Sequence, residues 1–79
     1  MTNRYTINGK DVEFTKINMI YDGIEVDGLL LHDCDGDFIT SDLDYLPGDD
    51  DEAKTMIENC WWITNWHRDE ATGYYVSDE

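Results

Sequence analysis

The chain has 79 residues, 41% hydrophobic and 13% aromatic, which suits one small packed domain (1–79) and leaves no room for a two-domain enzyme or a disordered tail. Nineteen Asp and Glu against five Lys and Arg give a formal net charge of −14. Phosphates repel such a surface, so direct binding to nucleic acid or to anionic membrane is disfavoured, and a basic partner, a cation or solubility alone remain.

The chain enters a strand pattern at once. Tyr5-Thr6-Ile7 alternates, Asn8-Gly9 follows, and Lys10 to Phe14 alternates again. Asn-Gly between alternating runs predicts a hairpin, because both turn residues tolerate positive φ. Ile17 to Tyr21 reads as a third strand, Asp22-Gly23 as the next tight turn, and Ile24-Glu25-Val26 as a fourth strand. Asp27-Gly28 predicts a bulge or a second turn. Leu29-Leu30-Leu31 is apolar on both faces, as in a central strand covered by a helix. Asp35-Gly36 turns the chain and Asp37 to Thr40 pairs back.

Pro47-Gly48 ends the sheet region, and Asp49-Asp50-Asp51-Glu52 opens a helix over about 49–61. Ala53, Met56, Ile57, Cys60 and Trp61 make one apolar stripe at helical spacing, and Trp62 falls opposite it. Trp62 to Arg68 changes to a strand-like pattern, Asp69 to Gly73 reads as a turn and Tyr74 to Val76 returns, a C-terminal hairpin. The fold class is therefore α+β: an antiparallel sheet of several short strands, one helix packed on it, and a C-terminal β-hairpin.

No segment has the length and apolarity of a signal peptide or a membrane span, so the expected location is the cytoplasm. Two cysteines in a domain this small fit reduced thiols better than a disulfide framework, with a single Cys34–Cys60 bridge as the alternative.

The densest feature is acidic. Asp33, Asp35, Asp37, Asp42, Asp44, Asp49, Asp50, Asp51 and Glu52 fall within twenty residues that contain no Lys or Arg. Part of this run has ordinary structural uses: Asp is favoured in turns, and acids at a helix start cap free N–H groups and meet the positive end of the macrodipole. The spacing of two in Asp33/Asp35/Asp37 and Asp42/Asp44 would nevertheless put neighbouring carboxylates on one face of an extended chain, about 6.6 Å apart. Ordered rows of negative charge imitate a nucleic-acid backbone, whose protein partners answer with Lys/Arg grooves. Trp62, off the helix stripe, would add an apolar anchor beside these acids.

In its size, charge and Asp33–Glu52 run, the chain resembles the small phage-encoded inhibitors of anti-CRISPR and antirestriction type, several of which are DNA mimics. The resemblance rests on no motif. It implies a basic nucleic-acid-binding protein or nuclease complex as partner, in the cytoplasm of a bacterial host, and it transfers no site residues.

Other constellations are weaker. Asp33, Asp35, Asp37 and Asp44 fall at positions 1, 3, 5 and 12 of a calcium loop, but Phe38 stands where an EF-hand needs glycine, and position 12 is not Glu. His32-Cys34 and Cys60-His67 have the wrong spacing for zinc. Ser41 and Ser77 lack a nucleophile setting, and the acids around Cys34 oppose a thiolate, so no enzyme activity, metal or cofactor is expected. Trp66 to Val76 resembles the first hairpin of WW domains, with its Trp, Arg, Thr-Gly turn and Tyr-Tyr pair, but lacks the third strand and the ligand-clasping Trp. The alternatives to an acidic inhibitor are an interaction module using the aromatic C-terminal end, or a cation-binding domain.

Overall fold

The computed structural model describes residues 2–79. Its elements in chain order are β1 (Thr2–Ile7), β2 (Lys10–Tyr21), β3 (Ile24–Asp33), β4 (Gly36–Thr40), α1 (Asp50–Asn59), β5 (Trp66–Arg68) and β6 (Tyr75–Ser77). The six strands form one open, mostly antiparallel sheet with a single helix, an α+β arrangement.

Two tight turns fold the first three strands. Asn8 and Gly9 have φ of 52° and 79°, and Asp22 and Gly23 have 53° and 76°. Two successive positive φ values match the right-handed twist of the flanking strands, which is why these residue pairs occupy the turns. Cys34 and Asp35 make the β3–β4 turn, with Asp33 opposite Gly36, one residue earlier than the Asp35-Gly36 expectation. Asp33 Oδ1 accepts the Asp35 N–H at 2.8 Å and closes that turn.

The strands are fewer and longer than the sequence suggests. The expected second and third strands are one twelve-residue strand, β2. Asp27-Gly28 is neither bulge nor turn, because β3 runs through it in register, with Ile17 opposite Gly28. The reason for the apparent break is a change of buried face. Val12 and Phe14 join Tyr5, Leu29, Leu31, Ala53 and Met56 in a core under the helix. Further along, Met19 is buried with Ile39 and Ile63 in a second core, flanked by Ile17, Tyr21, Val26, Leu30, Trp66 and Tyr75. Successive strand residues point to opposite faces, so the two cores lie on opposite faces of one sheet. Leu29 and Leu31 serve one core and Leu30 the other.

β2 also organises the edge. β1 pairs with residues 10–15 of β2, and β6 joins the same edge further along, parallel, with Tyr75 opposite Met19. The all-antiparallel expectation is corrected here: β6 pairs antiparallel with β5 but parallel with β2.

α1 begins where the sequence places it. Asp49 is the N-cap, and its carboxylate accepts the Glu52 N–H at 2.8 Å. The helix ends at Asn59, before the 61 expected. Beyond it the chain is extended and borders β4, with Ile63 N donating to Ile39 O at 2.7 Å and Ile39 N to Ile63 O at 3.1 Å. Trp61 N donates to the Asp42 carboxylate at 2.8 Å. These sheet-edge bonds replace the helical bonds that the stripe implied. In an extended segment alternate residues face opposite ways, so Trp62 turns into the helix-side core while Ile63 enters the second core.

Candidate functional site

Of the acids singled out in the sequence, Asp33 is half-buried and the other eight are exposed. They are not one row. Asp33 ends β3, Asp35 lies in the turn, and Asp37 stands in β4 opposite His32. Because His32 and Asp33 point to opposite faces, Asp37 and Asp33 do so too, and the expected shared face at Asp33/Asp35/Asp37 is not formed. The turn reverses the chain between them. Asp42 is drawn to the C-terminal side of α1 by Trp61 N. Asp49 to Glu52 lie at its N-terminal end, roughly 15 Å away along a ten-residue helix.

A different grouping replaces the row. At the end of the sheet where β2 starts and β3 finishes, Arg4, Asp11, Glu13, His32, Asp33 and Cys34 line an open depression of about 330 Å³. Thr6 links this end to the helix: its N–H donates to Asp50 Oδ1 at 3.2 Å and its hydroxyl to Asp11 Oδ1 at 3.2 Å. Asp11, Glu13, Asp33, Asp35, Asp37 and Asp50 thus gather from β2, the β3–β4 turn, β4 and α1. Sequence spacing misses Asp11 and Glu13, since only the pairing of β1 and β3 with β2 brings them there. Asp49, Asp51 and Glu52 flank Asp50 at the helix start, whereas Asp22, Glu25 and Asp27 lie towards the opposite end of the β2–β3 ladder, so negative charge occupies both ends of the molecule.

Several of these carboxylates are held by backbone N–H groups: Asp33 by Asp35, Asp42 by Trp61, Asp49 by Glu52, and Asp50 by Thr6. Two bases pair with carboxylates here, and Lys10 starts β2 beside Asp11. Arg4 pairs with Glu13 at 2.6 Å. His32 Nδ1 pairs with the Asp37 carboxylate, and that hydrogen bond, the Asp37 charge, and more distantly Glu13 and Asp33 raise the imidazole pKa above its ordinary value. A histidine with a raised folded-state pKa adds stability that is complete below its unfolded value, about 6.5, and is lost as pH rises through the folded one. The His32 ring is therefore expected to titrate above that value by NMR, and Asp37→Asn to bring its midpoint down. An unchanged midpoint in Asp37→Asn would remove the pair as the cause.

Trp62 is not the exposed anchor expected. Its ring is half-buried, edge-on to Phe14 with centroids 6.0 Å apart, and its Nε1 donates to Ile57 O at 3.2 Å. The exposed indole is Trp61, 57% accessible, which the helical stripe had assigned to the core.

Cys34 is an exposed free thiol. Cys60 is half-buried and also free; desolvation, and then the Asp42 charge, push its pKa up. Among the described residues no three His, Cys, Asp or Glu side chains converge to hold a metal ion, and no helix is long and apolar enough to cross a membrane. No protein-family model, curated protein or solved structure matches this chain.

Proposed function

We propose that this chain is an acidic inhibitor that sets its carboxylate-rich end into the basic groove of a nucleic-acid-binding protein or nuclease complex and blocks nucleic-acid access. The observation that carries the reading is the gathering of Asp11, Glu13, Asp33, Asp35, Asp37 and Asp50 at one end of the sheet, within a chain of net charge −14. Backbone N–H groups orient Asp33 and Asp50, so part of this charge is ordered before any partner arrives, which lowers the entropy lost on binding. Opposite charges also steer and accelerate encounter. The resemblance to small phage-encoded inhibitors points the same way, to a target in a bacterial cytoplasm.

The test uses a panel of purified restriction endonucleases and RNA-guided nucleases, with DNA cleavage measured at rising chain concentration. Inhibition of at least one enzyme is expected, weakening steeply as salt is raised. Asp35→Lys with Asp37→Lys should then raise the inhibitory concentration at least about tenfold, the order of effect seen when charges are reversed at an electrostatic interface. Neither side chain accepts a backbone hydrogen bond, whereas Asp42 does and is unsuitable. Glu58→Lys with Glu70→Lys makes the same change in net charge elsewhere on the surface and should have a much smaller effect. Equal loss in both double variants, or no inhibition of any enzyme, would overturn the reading.

A further inference from the structure

A second surface lies away from the acidic end. Trp61 is 57% accessible and Ile24 62%. Tyr21 meets Trp61 edge to face, with ring centroids 6.4 Å apart at 88°. Tyr21 and Ile24 are direct cross-strand partners beside the Asp22-Gly23 turn, so their side chains share a face. Trp61, Tyr21 and Ile24 thus form one apolar patch at the end of the β2–β3 ladder. The other two tryptophans are half-buried, with their ring N–H groups bonded inward to Ile57 O and Asp37 O.

The patch has a one-sided charge setting. Asp22 sits in the turn between Tyr21 and Ile24, and the Asp42 carboxylate is fixed 2.8 Å from the Trp61 backbone nitrogen. The segments that carry these residues, 20–27, 41–45 and 58–65, contain no Lys or Arg, and Arg68, on the neighbouring β5, is turned onto the Tyr75 ring, 5.5 Å from its centroid. An apolar surface whose own segments carry carboxylates and no Lys or Arg suits a cationic partner. A second copy of the chain would bring −14 against −14, and a nucleic acid would bring phosphate against the same rim. Between the two cationic side chains, guanidinium is the better match. It is planar and weakly hydrated, it lies flat on an indole face, and its edge hydrogen-bonds a neighbouring carboxylate.

We infer that Trp61, Tyr21 and Ile24, with Asp42 and Asp22 at the rim, form a docking surface for an arginine-bearing face of a basic protein. The inference rests on the basic-partner reading above and adds to it a second contact region with a preferred side chain. Trp61 supplies the stacking platform. Its place is set by the Asp42 hydrogen bond and the Tyr21 ring. Asp42 supplies the charge that meets the guanidinium.

The test is calorimetric binding of hexa-arginine and hexa-lysine peptides to the full chain at low salt. The wild type should bind hexa-arginine about fivefold more tightly than hexa-lysine, the order expected for cation–π stacking on a partly exposed ring. Trp61→Ala should bring the two peptides to near parity with little change in hexa-lysine affinity, while Trp61→Phe retains part of the arginine preference. Asp42→Asn keeps an acceptor for the Trp61 N–H and should reduce the preference through loss of charge alone. Far-UV circular dichroism checks that each variant is folded. If the wild type shows no arginine preference, or Trp61→Ala leaves it intact, the patch is not this docking surface, although hexa-lysine binding would still uphold the acidic reading. Failure to bind either peptide overturns the basic-partner reading and this inference together. A homodimer in sedimentation that Trp61→Ala dissociates would assign the patch to self-association and overturn the inference alone.

Discussion

Phe14→Ala is expected to remove a large share of the chain's stability. Phe14 is fully buried at the centre of the helix-side core, with Leu31 opposite it in the ladder. The Tyr5 ring stands edge-on to it at 5.4 Å and the Trp62 ring at 6.0 Å. Removing a buried phenyl ring forfeits its transfer free energy and leaves a cavity, together about 3–5 kcal/mol. Two aromatic contacts are lost with it, each about 0.5–1.5 kcal/mol beyond area burial and partly included in that figure. A domain of 79 residues has in total roughly 4–12 kcal/mol of stability. The loss is therefore comparable with the lower part of that range. Urea denaturation followed by circular dichroism should show the midpoint lowered by at least about 1 M, with Phe14→Leu far less affected. A Phe14→Ala midpoint within a few tenths molar of wild type would mean that this core is not what holds the sheet and helix together.

The second large effect is expected at Gly28. A Cβ built there would lie closer than 3.0 Å to two atoms, the backbone oxygen of Thr40 and the sulfur of Met19. Met19 can turn its flexible thioether aside, although it is itself fully buried. The Thr40 carbonyl belongs to β4 and moves only if that strand moves, which strains the pairing of Leu29 with Thr40. Overpacking of a close-packed interior costs about 1–3 kcal/mol, and Gly28→Ala should fall near the top of that range. For a domain of this size it would lower the melting temperature by roughly 10–20 °C. Gly23→Ala makes the informative comparison. A Cβ at Gly23 meets nothing within 4 Å, so its cost arises only from the positive φ of 76°. If Gly28→Ala melts with the wild type, the close approach of β4 to β3 at this point is wrong.

The parts of the fold visible in the sequence are those fixed by neighbours along the chain. Asn8-Gly9 and Asp22-Gly23 announce their turns because few other residue pairs tolerate two positive φ values in succession. Asp49 announces the helix start because its side chain reaches the Glu52 N–H three residues on. The parts that were hidden depend on partners far along the chain. The phase of apolar residues in β2 flips between Phe14 and Ile17, which reads as two strands. The strand is continuous, and the cover changes from α1 on one face to Ile63 and its neighbours on the other. Trp61 and Trp62 exchange roles for the same kind of reason. Helical phase assigns them one way, and the extended path beside β4 assigns them the other. The acidic site was visible as composition but not as geometry, because the β3–β4 turn separates Asp33 from Asp37, while strand pairing recruits Asp11 and Glu13.

The shared edge of β2 bears on how the chain reaches this state. Its first half is covered by β1, a strand only a tight turn away, so local zippering is expected to close it early. Its second half waits for β6, which comes from the other end of the polypeptide, and bringing distant segments together carries the larger loop-closure entropy. Until then Met19 and Ile20 offer an open ladder to any passing strand, the usual route to clumping of half-made molecules. The surplus of carboxylates then has a second benefit, because nascent copies repel one another during the interval in which that ladder is bare.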